Sequence, residues 1–103
     1  MGSIGEAGCN DCFALECPAE TIESGHVSLY AGTHERDGAT FSALNGYSQD
    51  IDVGMGGNGK ATIGHKEGSG NVESAGAEFG REGAFSMVCY EVQDIPQTIN
   101  NSD

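Results

Sequence analysis

At 103 residues with 17 Gly, two Pro, no Trp and 37% apolar residues, the chain is sized for one domain with a lean core. Its glycine load excludes a helical bundle, because each interior Gly costs a helix ~1 kcal/mol relative to Ala. Sixteen acidic residues against four basic ones give a formal charge of −12, which disfavours nucleic acid and anionic membrane surfaces and leaves cationic partners, bound cations or plain solubility.

The opening "MGSIGEAG" has neither the basic region nor the apolar core of a secretory leader, so a secreted form implies a leader outside this sequence, with Met-Gly-Ser as an appended remnant. Glu6 stands where N-myristoylation requires Ser or Thr. No apolar run reaches the ~18 residues of a membrane span. Residues 1–24 read as an acidic, cysteine-bearing segment, a loop with at most one helical turn after Pro18.

From Gly25 a period of two dominates, and residues 25–95 read as a single all-β domain. In "HVSLYA", Val27, Leu29 and Ala31 alternate with His26, Ser28 and Tyr30; in "DIDVGM", Ile51, Val53 and Met55 alternate with Asp50, Asp52 and Gly54. This is the pattern of half-buried antiparallel strands, with the aliphatic side expected inward. Further strands are expected at 40–44, 60–64, 71–73 and 84–92. The last, "AFSMVCYEV", is apolar on both faces and predicts a central strand covered on both sides. Between them "ERDG", "LNGY", "GMGGNG" and "KEGSGN" supply the Gly and Asn that tight turns require. Residues 96–103 read as a flexible tail carrying an Asn100-Asn101-Ser102 glycosylation sequon.

Sliding the chain by 34 residues lays Gly25–Leu29 over Gly59–Ile63, Ile51 over Phe85 and Val53 over Met87, which raises a two-fold repeat of units facing each other as a sandwich. The stretch "VSLYAGTHERDGATF" resembles the opening of a βγ-crystallin Greek-key unit, in which an apolar strand ending in Tyr bends toward a Gly. It departs in the Tyr-to-Gly spacing. The second copy, "ATIGHKEGSGNVE", has Gly64 at the aromatic position, and the calcium-binding motif of that family is missing. In composition the chain also resembles small cysteine-bearing secreted proteins of microbes and fungi.

Four cysteines, Cys9, Cys12, Cys17 and Cys89, carry the strongest constraint. Structural zinc wants two short-spaced pairs, and the second half of the chain offers one cysteine. An iron-sulfur centre wants a family-specific spacing that is not present. A Cys-x-x-Cys redox pair wants a strand before it and a helix after it, and Asp11 beside the thiols would oppose the thiolate. Two disulfides fit best. All three connectivities tie Cys89 to the N-terminal cluster, closing a loop worth roughly 4 kcal/mol in the chain-entropy model and implying an oxidising compartment.

The remaining polar residues make no catalytic signature. His26, His34 and His65 are read as solvated, the last two in turns. "GMGGNGK" lacks the Ser or Thr and the following helix of a phosphate-binding loop. Asp50 and Asp52, two apart on one strand face, are the candidate calcium ligands beside that glycine-rich loop. No cofactor is expected.

The fold expected is therefore a small antiparallel Greek-key sandwich or compact barrel, stapled by disulfides. The function expected is that of a small acidic secreted protein, not an enzyme, that binds another macromolecule as an effector, elicitor, toxin or inhibitor does. A calcium- or zinc-binding β-module is the alternative, and an acidic nucleic-acid mimic the third reading. Homodimerisation is expected if an edge strand such as 60–64 stays uncovered.

Overall fold

A computed structural model describes residues 2–93, and all of its regular elements are β-strands. They are β1 (Gly2–Glu16), β2 (Glu20–Thr21), β3 (His26–His34), β4 (Phe41–Ala43), β5 (Ser48–Gly54), β6 (Lys60–Glu67), β7 (Val72–Glu73) and β8 (Gly76–Gln93). One antiparallel sheet takes the order β1-β8-β3-β6-β5, with β4 paired to the early part of β8, while β2 and β7 form a separate two-stranded ribbon. The all-β, antiparallel, disulfide-bearing class matches the sequence reading. The path ends in β1 on one side and β5 on the other without closing into a barrel. Its β8-β3-β6-β5 run also differs from the Greek-key order, in which hairpin-linked strands lie consecutively.

Turns fall where Gly and Asn were placed. Asn45 and Gly46 take φ of 57° and 82°, and Tyr47 N–H donates to the Leu44 carbonyl at 3.1 Å. That geometry demands positive φ at both central residues, which Asn-Gly tolerates best.

Residues 1–24, expected as a loop, instead contribute a long edge strand. β1 runs antiparallel along β8 from Gly2 opposite Glu91 to Glu16 opposite Gly76. Register shifts at Ser3/Gly5, Cys9/Cys12 and Cys12/Ala14 break its alternation, so no period of two marks it in the sequence. Residues 96–103 and the sequon lie outside the described residues.

The buried face inverts the expected sense. On β3 the buried residues are Ser28, Tyr30, Gly32 and His34, while Val27, Leu29 and Ala31 are only half-buried. On β8 the inward set is Phe85, Met87 and Cys89, and Val88, Tyr90 and Val92 stand half-buried on the other side. β8 is central in its pairing, with β1 and β3 on either side, yet it is not covered on both faces. Thr62 and Gly64 continue the inward face across β6.

What covers the inner face is mostly loop and short strand. Phe41 and Tyr47 from the β4 region, Cys17 ahead of β2, and Ala75 after β7 pack with Tyr30, Phe79, Phe85, Met87 and Cys89. Aromatic contacts dominate: Phe41 lies 4.8 Å from Phe79 and 5.7 Å from Phe85 between centroids. Tyr30 sits opposite Gly64 on β6, and its ring fills the space where a Cβ of residue 64 would be. That explains the glycine in place of the aromatic.

The proposed repeat holds only in part. Ser28 and Thr62 both point inward, and Leu29 and Ile63 both outward. Phe85 and Met87 are buried, however, whereas Ile51 and Val53 are exposed by 42% and 50%. β3 and β6 are neighbours in one sheet rather than equivalents in facing sheets. β6 is likewise no edge strand, since β3 and β5 flank it. The edges are β1, irregular and bulged, and β5, which carries a bulge and two carboxylates, devices that discourage edge pairing.

Candidate binding face

The four cysteines form Cys9–Cys12 and Cys17–Cys89, and none is free. The second bridge spans 72 residues and joins the segment before β2 to the central strand. Both of its cysteines are buried, and Cys17 N–H also donates to the Ala75 carbonyl at 2.8 Å. The first bridge closes the bulge in β1 that sits against the end of β3. There the imidazole of His34 is 1% exposed, stacked on Phe79 at 4.2 Å. Arg36 N–H donates to its Nδ1 at 3.1 Å, which leaves Nε2–H to donate to the Cys12 carbonyl at 3.2 Å. His34 is therefore a core residue, not a solvated turn residue.

The other histidines are also held. His65 Nδ1–H donates to Asp50 Oδ2 at 2.7 Å. His26 Nδ1–H donates to Glu91 Oε2 at 2.8 Å, and Glu23 N–H donates to the same oxygen at 3.2 Å. The His26 imidazole, and after it the Glu23 amide, hold the Glu91 carboxyl below its ordinary value of 4.5. Glu91 thus latches the turn before β3 to β8.

Asp50 and Asp52 do not share a face. A bulge between Gln49 and Ile51 puts Asp50 beside His65, whereas Asp52 lies on the inner side, 2.7 Å from Lys60 Nζ and accepting Phe41 N–H at 3.2 Å. Each carboxylate has its own basic partner, so the expected calcium pair is split by one extra residue. Among the described residues, the one group of three metal-ligating side chains with ligand atoms within 4.8 Å of one another is Glu23, His26 and Glu91. Sequence reasoning had no signal for it, because Glu91 is 65 residues from His26.

The largest feature is the outer face of the sheet. Cross-strand register places Val88, Ala31, Ile63 and Ile51 in one row across β8, β3, β6 and β5. Tyr90, Leu29 and His65 stand beside it on one side, and Ser86, Thr33, Ala61 and Val53 on the other. Small residues in the latter row leave a shallow groove of about 680 Å³ that crosses four strands, from Gly8 on β1 to Ala61 on β6. The alternating pattern that carries this surface was visible in the sequence but assigned to the interior. Among the described residues no layer covers this face, and a contiguous apolar face of that kind is the informative exception on a folded surface, since single exposed aliphatics are ordinary.

Compared with protein-family models, with curated proteins and with solved structures, the chain matches none.

Proposed function

We propose that this is a small secreted protein that acts by binding another macromolecule through the outer face of its sheet, and not by catalysis. The observation that carries the reading is the apolar row Val88, Ala31, Ile63 and Ile51, half-buried to exposed and without a covering layer among the described residues, while the interior is built from aromatic and hydrogen-bonded residues. Two disulfides in so small a chain are compatible with an extracellular setting, and they weigh against the reading as a cytosolic nucleic-acid mimic. Panning a random peptide display library on the immobilised protein tests it, with Leu29→Ser/Ile63→Ser as counter-target. Peptides that bind the wild type and not the variant support it. Peptides that ignore the substitution, or turnover in a broad hydrolase screen, overturn it.

The second reading, a metal-binding module, now rests on Glu23, His26 and Glu91 instead of Asp50 and Asp52. A thermal midpoint unmoved by chelator and by added zinc or calcium removes it, because a ligand of the native state alone must raise the midpoint.

A further inference from the structure

We infer that the partner of the outer face is a cationic, amphipathic polypeptide, and not a second copy of this chain; this deepens the reading above and rests on it. The argument is charge complementarity around an apolar centre. The ionisable residues standing on or at the margin of the face are Glu6 on β1, Glu67 opposite Val27, and Asp50 with His65. Glu6 and Glu67 are exposed and have no basic partner among the described hydrogen bonds and ion pairs. All four Lys and Arg side chains lie elsewhere. Lys60 reaches inward to Asp52 and the Ala39 carbonyl, and Lys66 reaches Glu73 and the Asn45 carbonyl over the ring of Tyr47. Arg81 binds the Asp37 carbonyl, and Arg36 lines a separate small cleft with it.

The face is therefore aliphatic in the middle, acidic at the rim and devoid of Lys or Arg. Two copies would bring acid onto acid, each chain carrying −12. Like charges brought together across an interface repel and select against that pairing. A partner with an apolar stripe flanked by Lys or Arg meets both needs, burying the row of aliphatics while its cations meet Glu6 and Glu67. The acidic rim then steers encounter and selects partners, and the apolar row supplies most of the affinity.

The test uses the full chain and two labelled synthetic peptides of one amphipathic pattern, a Leu/Lys helix and a twin with every Lys replaced by Glu. Fluorescence anisotropy reads binding, and sedimentation velocity reads the oligomeric state. The expected result is binding of the Leu/Lys peptide at least tenfold tighter than its twin, weakening with added salt. Glu6→Gln/Glu67→Gln should lower that affinity roughly threefold or more. Glu20→Gln/Glu78→Gln, which changes net charge equally off the face, should leave it unaltered. Equal loss in the two double variants overturns the proposal, because net charge alone would then account for binding. If the twins bind alike, the charge inference fails while the binding face survives. If neither peptide binds, the face itself is refuted. A dimer that dissolves on Leu29→Ser/Ile63→Ser makes a second copy the occupant and likewise overturns the proposal.

Discussion

Removing the Cys17–Cys89 bridge should nearly unfold the protein, and removing Cys9–Cys12 should not. The long bridge spans 72 residues, and the chain-entropy relation gives about 4.4 kcal/mol for a loop of that size at 25 °C. Its cysteines are 4% and 1% exposed, so replacing both with Ala also strips packed sulfur from the core, on the order of 1 kcal/mol more. The short bridge spans 3 residues, and the same relation leaves it under about 2 kcal/mol. Its loop lies outside residues 17–89, so the two effects should add.

Against a total stability of roughly 5–15 kcal/mol for a domain, a loss of about 5 kcal/mol takes from about a third to all of the margin, and the lean core places this chain toward the latter. Urea unfolding followed by tyrosine fluorescence measures it, since the chain has no Trp. Cys17→Ala/Cys89→Ala should show a collapsed midpoint together with a steeper denaturant slope, because its unfolded state expands once the loop is opened. Cys9→Ala/Cys12→Ala should keep a cooperative transition. The reasoning is refuted if the short-bridge variant loses more stability than the long-bridge variant, or if the long-bridge variant stays within about 1 kcal/mol of the wild type.

Other perturbations test the inner face and its latch. Gly64→Ala drives a methyl into the ring of Tyr30, and overpacking of this kind costs about 1–3 kcal/mol, readable as a lower urea midpoint; an unchanged midpoint would mean that Tyr30 does not lie over β6. Gly83→Ala, which crowds His34 Cε1 at 2.8 Å, should destabilise similarly and loosen the Cys9–Cys12 bulge, seen as faster amide exchange in β1. Glu91 has a folded-state pKa below 4.5, so its contribution is present above that value and is lost as pH falls through the lower folded value. The stability gap between wild type and Glu91→Gln should accordingly close on acidification, and a gap that widens would contradict the latch. Burial pushes the phenols of Tyr30 and Tyr47 above 10.0, so the stability tied to their neutral forms is present below 10.0 and lost as pH rises past it. An ultraviolet pH titration should find both ionising above that value in the folded protein.

Beyond residue 24 the sequence showed where most strands lie, though not residues 76–83 of β8, and it did not show which side of them is inside. Its turns were legible because Asn45-Gly46 and the glycine-rich loops have few other uses, and the strands because alternation survives wherever pairing is regular. β1 was not, since bulges interrupt its period and an edge strand needs only one partner. The pairing of Asp50 with Asp52 failed for the same reason, as a single inserted residue reverses the face of one carboxylate but not the other. His34 reads as a turn residue because hydropathy ranks it polar, while its burial depends on stacking against Phe79 and on a hydrogen bond to the Cys12 carbonyl, both far away in the chain.

The sense of burial follows from one residue. Cys89 must face Cys17, and Cys17 belongs to the layer that covers the inner face, so Cys89 points inward. Register then propagates that choice: Tyr30 is opposite Cys89, and Gly64 is opposite Tyr30, so both are inside. Leu29, Val88 and Ile63, one position away along their strands, are forced outward whatever their hydropathy. Ser28 inside is satisfied by the hydroxyl of Tyr47 at 2.6 Å, and the interior compensates for its few aliphatics with aromatic contacts and a covalent bridge. A chain with a core this lean, which nonetheless keeps Val27, Leu29, Ile51, Ile63 and Val88 on an open face, has its aliphatic surface where a partner can cover it. The bridge that makes the core stable is also what keeps that surface outside.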